Sequence, residues 1–124
     1  MKRRFQSTVP GIFFLMAGAN HFVMPGFYLP LIPDYLPWPI FLNAISGVLE
    51  LAIGLGFFFS SSRKWAGLGM LLLMTFFIPS HVYFITTGGC VADGLCVPLW
   101  VAWVRLLIIH PILMGFGWWI WRSR

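Results

Sequence analysis

The stretch IFLNAISGVLELAIGLGFFF, residues 40–59, decides the fold. A helix needs about 20 mostly apolar residues to cross the hydrocarbon core of a bilayer, and this run supplies them. One charge, Glu50, stands in its middle. A carboxylate at that depth costs roughly 2.5–3.5 kcal/mol on insertion scales, and more by other measures. Either the run does not span a membrane, or Glu50 has a partner or a proton.

Composition answers the first half. The chain is 60% hydrophobic, 19% aromatic and 9% charged, with a mean hydropathy of +0.88. Soluble domains carry about 25% charged residues, so this chain lacks the polar surface a soluble core needs. Residues 1–124 read as a single transmembrane domain with spans at about 9–24, 40–59, 66–85 and 98–121. The expected fold is all-α, an integral membrane four-helix bundle running up-down-up-down, with a Pro-rich outer loop between helices 1 and 2. The Lys2-Arg3-Arg4 start resembles a secretory signal, but polar Asn20 and His21 occupy the place of a small-residue cleavage site.

Charge gives the orientation. Every basic residue except Arg105 falls on one side of four such spans: Lys2, Arg3, Arg4, Arg63, Lys64, Arg122 and Arg124. The positive-inside rule makes that side, with both termini, cytoplasmic, and Asp34 and Asp93 face outward. A bacterial inner membrane suits this layout. The net charge of +5 is thereby a topology signal, and no nucleic-acid partner is expected.

The two outer loops differ. The first, MPGFYLPLIPDYLPWP, residues 24–39, is broken by five prolines, which lack the backbone donor and disfavour helix before them. Phe27, Tyr28, Tyr35 and Trp38 suit the headgroup level. They form either an outer cap over the bundle or a plain interfacial anchor. The second, TTGGCVADGLCV, residues 86–97, holds both cysteines, Cys90 and Cys96. In an oxidising compartment a structural disulfide is the leading reading; a redox-active dithiol and free thiols stay open. Two cysteines without a neighbouring histidine are too few for a metal site.

Glu50 and Arg105 are the opposite charges left inside the apolar interior. Glu50 lies roughly 15 Å below the outer end of its span and Arg105 roughly 10 Å below the end of its own, so a Glu50–Arg105 salt bridge is expected. Asn20, His21 and His81 gather at similar depth. Asn43, Gly47, Glu50 and Gly54 recur on one helical face, which should turn towards the other helices. A polar, ligand-binding outer-half pocket of Asn20, His21, Asn43, Glu50, His81 and Arg105 follows. His110 lies about 140° round an α-helix from Arg105 and reads as a structural histidine beside Pro111.

The segments AGANHF, PGFYLPLIPDYLPWP, SGVLELAIGLG, IPSHVYF and WVRLL, taken together, closely resemble the DoxX-like family of small membrane proteins. The likeness runs from about residue 18 to 119. It rests on His21, Pro25, Phe27, Tyr28, Pro33, Tyr35, Leu36, Pro37, Gly47, Glu50, Pro79, His81 and Arg105. The C-x5-C loop departs from the family pattern. So does Leu107-Ile108-Ile109, where members often carry Pro-x-Gln. The resemblance implies a four-helix membrane fold and a helper that works with a partner. Relatives include subunits of thiosulfate:quinone oxidoreductases, members of a thiol-stress complex, and assembly factors.

Three function classes remain. The first is a non-catalytic accessory or assembly subunit with an unidentified membrane protein partner, in which a homo-oligomer is also allowed. The second is a redox protein linking thiols or sulfur compounds to quinone, the one cofactor that the polar groups would suit. The third is a small transporter using Glu50 and the histidines.

Overall fold

A computed structural model describes residues 2–123, which are helical apart from loops and one isolated bridge. Helix α1 runs Lys2–Val23, the short α2 Pro25–Tyr28, α3 Pro39–Phe58 and α4 Arg63–Thr86. A final helical run comprises α5 Leu99–Val104, a π-helical turn Arg105–Ile109 and α6 His110–Arg122. Among the described residues three helices are long and apolar enough to cross a membrane: Pro39–Phe58, Arg63–Thr86 and Leu99–Arg122. A fourth crossing exists if Phe5–Val23 and Pro25–Leu31, bent 99° apart, count as one span.

The helix boundaries follow from proline and capping chemistry. Pro25 disfavours helix at Met24, which leaves the α region at φ −130°, ψ 62°, and α1 ends. Pro25 and Pro39 then open α2 and α3, where a missing N–H costs nothing. Trp38, just before α3, adopts φ 54°, a left-handed conformation that side chains other than glycine seldom take. The α3–α4 turn is held from both sides. Ser62 Oγ donates to the Gly56 carbonyl at 2.9 Å and Arg63 Nε to the Phe57 carbonyl at 3.1 Å. A cation there also complements the negative end of the α3 dipole.

Glycine sets the helix spacing at two antiparallel seams. A Cβ on Gly18 would lie 2.8 Å from the Gly47 carbonyl oxygen and from Leu51 N, and one on Gly54 would meet Leu15 N at 2.9 Å. Between α4 and α6, a Cβ on Gly67 would lie 2.9 Å from the Gly117 oxygen. Small residues let membrane helices approach backbone to backbone. The protein is thus built from two tight pairs, α1 with α3 and α4 with the last helical run, joined through α3 and α4.

An apolar core of Phe14, Ile53, Phe57, Met70, Leu73, Met74 and Ile120 fills the half nearest the α3–α4 turn. A smaller cluster, Phe84, Val91 and Ala102, seats the cysteine loop at the other end. The outward faces carry large apolar side chains, including Phe41, Phe59, Trp65, Phe76, Trp100 and Ile112, all exposed as lipid-facing residues would be.

The sequence expectations fare unevenly. The first helix starts near Lys2 rather than residue 9. Of the aromatic cap, Phe27 and Tyr28 are half-buried, Tyr28 against His21 and Phe27 against Tyr28, while Tyr35 and Trp38 stay exposed. Tyr83 of α4 ties the Pro-rich segment down by donating to Asp34 Oδ2 at 2.9 Å. Cys90 and Cys96 face each other across the antiparallel bridge with their sulfurs at bonding distance. Their Cα atoms are 4.0 Å apart, a little closer than the usual range of about 4.4–6.8 Å. Gly88 and Gly89, at φ 77° and 80°, make that loop's turn; a Cβ on Gly89 would strike the Val97 oxygen at 2.8 Å.

Candidate functional site

Glu50 does not pair with Arg105. Its Oε2 lies 3.3 Å from His21 Nε2, with both side chains buried. The expected partner was chosen by formal charge, but the α1–α3 glycine seam brings His21 to Glu50 first. A Cβ on Gly47, one turn from Glu50, would sit 2.8 Å from His21 Cβ.

His21 is held on every side for reasons legible in the local sequence. Its carbonyl would bond the N–H four residues on, but that residue is Pro25 and has none. Asn43 Nδ2 supplies the missing donor at 3.0 Å. A carbonyl only accepts, so the Asn43 amide nitrogen must face it, and the amide oxygen is the atom 2.7 Å from His21 Nδ1. His21 Nδ1 therefore carries a hydrogen. Tyr28 stacks on the imidazole at 3.7 Å between ring centroids, and Asn20 Nδ2 donates to the Tyr28 hydroxyl at 3.1 Å.

This wiring fixes a proton count. With Nδ1 protonated by the Asn43 geometry, Nε2 is the remaining ring nitrogen, and it faces Glu50 Oε2. A lone pair against a carboxylate oxygen is repulsive, so one proton belongs to the Nε2–Oε2 contact, as imidazolium–carboxylate or as imidazole–carboxylic acid. Both forms are neutral overall, which removes the cost of a lone buried charge. The 3.3 Å approach is an ion-pair distance without hydrogen-bond alignment. Oε2 is accordingly the buried side-chain atom that lacks a hydrogen-bond partner among the described residues.

A second cluster lies between α4 and the last helical run. His110 Nε2 donates to the Met74 carbonyl, in the turn below Pro79, and the His81 ring meets the His110 ring edge-on at 4.6 Å. The reading of His110 as a satisfied structural histidine agrees with this contact. Its separation from Arg105 does not hold in the expected form. Pro111 offers no N–H, and the helix widens just before it: the His110 N–H donates to the Arg105 carbonyl, five residues back. Five residues then close about one turn, placing Arg105 and His110 near one face. The His110 ring touches His81, and Phe84, the ring under Arg105, lies one turn along α4 from His81. Arg105 rests its guanidinium over the Phe84 ring, 5.4 Å from the centroid.

The expected single pocket is therefore two centres. Asn20, His21, Asn43 and Glu50 form one with Tyr28; His81 and Arg105 form the other with His110. No hydrogen bond, ion pair or ring contact joins them among the described residues. Tyr28, expected in the outer cap, and His110, expected as a structural histidine, are the members that the sequence reading left out of the polar pocket. Pro25 and Pro111 are the signals that find them, since each strips a donor from the turn beside it. Among the described residues no group of three or more His, Cys, Asp or Glu is placed to hold a metal ion.

No curated protein and no solved structure matches the chain. A family model described as a domain of unknown function, DUF8561, matches residues 11–122, a range that contains every residue of both centres. With nearly the whole length covered, the chain belongs to the DUF8561 family.

Proposed function

We propose that the protein is a DoxX-like, four-span membrane protein, an up-down-up-down bundle of a bacterial inner membrane with both termini cytoplasmic. In this reading it serves as a non-catalytic accessory or assembly subunit beside a membrane partner. The observation that carries the reading is the closure of the His21 centre. Both imidazole nitrogens are engaged by Asn43 and Glu50, one ring face is covered by Tyr28, and the carbonyl is bonded by Asn43. Such a network fixes how two helices meet, which is what a scaffold requires; a general base needs a nitrogen free for substrate.

A redox role is the second reading, favoured by one contact. The Cys90–Cys96 loop packs through Val91 on Phe84, the ring that carries Arg105, so a thiol pair sits above groups able to bond a quinone carbonyl. Purified protein in lipid, given a dithiol donor and a soluble quinone, decides between them. No turnover is expected alone, with co-purification of a partner under mild detergent. Sustained quinone reduction by the isolated chain would overturn the accessory role.

Orientation and the cysteine pair are tested together. In right-side-out vesicles an impermeant maleimide should modify Cys90 and Cys96 only after reduction, and without lysis. Protection until lysis would reverse the topology. The Cys90→Ser, Cys96→Ser double variant should stay inserted and folded, losing only about 2–3 kcal/mol, because so short a loop constrains the unfolded chain little.

A further inference from the structure

We propose that Arg105 is the core of a binding site for an oxyanion: a phosphate, carried by an outer-leaflet phospholipid or free in solution. The argument starts from a count of counter-ions. The chain has three acidic side chains. Glu50 is taken by His21, and Asp34 accepts from Tyr83. Asp93 is exposed on the cysteine loop in a left-handed turn. None of the three forms an ion pair with Arg105, yet Arg105 is half-buried, about 9 Å along its span from Leu99. Among the described residues it has no counter-ion, so one from outside the chain can take that place.

The local geometry is arranged for that role. Phe84 holds the guanidinium over its ring, with Cζ 5.4 Å from the centroid, and the N–H fork has no hydrogen-bond partner among the described residues. That fork matches two oxygens of a phosphate, as a lysine ammonium would not. No hydrogen bond occupies the Arg105 or His81 side chains among the described residues, and His81, one turn from Phe84 on α4 and in ring contact with His110, adds a further unspent ring nitrogen. The π-turn contributes by bringing Arg105 towards the face of His110, whose ring meets His81. The low dielectric around the site strengthens each charge-assisted bond. Arg105 is close enough to the end of its span for a long side chain to meet a headgroup.

Thermal unfolding of the full chain in a neutral maltoside detergent tests this. The probes are phosphatidylglycerol, a galactosyl diacylglycerol that lacks phosphate, and inorganic phosphate. The expected result is an upward shift with phosphatidylglycerol and none with the galactolipid. Affinity should fall at least about tenfold in Arg105→Gln and be partly retained in Arg105→Lys. Lys64→Gln, at the opposite end of the molecule, should respond as wild type. A matching shift with inorganic phosphate, also lost in Arg105→Gln, assigns the site to a free anion; a shift with phosphatidylglycerol alone assigns it to the lipid. Equal shifts with galactolipid and phosphatidylglycerol, or no shift with either phosphate probe in wild type, would overturn the proposal without reference to any variant.

Discussion

His21→Leu is expected to cost about 3–5 kcal/mol, the largest loss from any single substitution in the protein. It removes the group that shares a proton with Glu50 and leaves a carboxyl buried at 5% exposure beside leucine. It also strands the Asn43 amide oxygen, which is bonded to His21 Nδ1. Glu50→Gln should be far milder. A glutamine amide can donate to the Nε2 lone pair and keep the contact neutral, so its cost should fall near the ~0.6–1.7 kcal/mol of hydrogen bonds between membrane helices. The double change His21→Leu, Glu50→Leu should cost less than the sum of its parts, with a coupling of about 0.5–3 kcal/mol. Steric-trapping or denaturant unfolding in bicelles gives these values. The same measurements on Glu50→Gln and Arg105→Gln should be additive. A coupling above ~1 kcal/mol between those two would restore the Glu50–Arg105 pair and remove the His21 assignment.

The second large effect lies on the glycine seam. A Cβ on Gly18 lands 2.8 Å from two backbone atoms of α3, the Gly47 oxygen and Leu51 N, and backbone cannot rotate away. Gly18→Ala should therefore force α1 and α3 apart, and Gly18→Val more so. Overpacking alone costs about 1–3 kcal/mol. Here the separation would also stretch the 2.7 Å His21–Asn43 bond one turn away, so Gly18→Val should approach the effect of His21→Leu. Gly26, whose Cβ would meet nothing within 4 Å, is the control and should accept alanine with little change. Wild-type stability in Gly18→Val would mean that the two helices do not pack as described.

Hydropathy made the helices legible. The stretch expected at 40–59 is Pro39–Phe58, that at 66–85 lies within Arg63–Thr86, and that at 98–121 is Leu99–Arg122. Hydropathy reports where a helix is apolar, not where it is helical, so the basic start of α1 fell outside the expected span although Lys and Arg are good helix formers. The small and polar face of α3 was also legible: Asn43, Gly47, Glu50 and Gly54 are all buried. Partner choice was not. Ranking residues by formal charge puts Arg105 before His21, and charge says nothing about which helices touch. The information lay in spacing: Gly11 and Gly18 on α1 match Gly47 and Gly54 on α3, seven apart in each case, in antiparallel order. The face of His110 was missed for a different reason, since 100° per residue assumes an unbroken α-helix and the turn before Pro111 is π.

The placement of the shared proton bears on how the chain enters the membrane at all. His21, Asn43 and Glu50 lie within the first 50 residues, on α1 and α3. During synthesis the carboxyl reaches the insertion machinery with its neutralising neighbour, His21, already made. A partner at position 105 would have left it waiting through another 55 residues of translation, for seconds at ordinary elongation rates of about 5–20 residues per second. The first helix pair can thus close as a neutral unit while the second is still on the ribosome. Biogenesis is divided into two self-sufficient steps, and neither helix pair depends on the other to hide a charge of opposite sign.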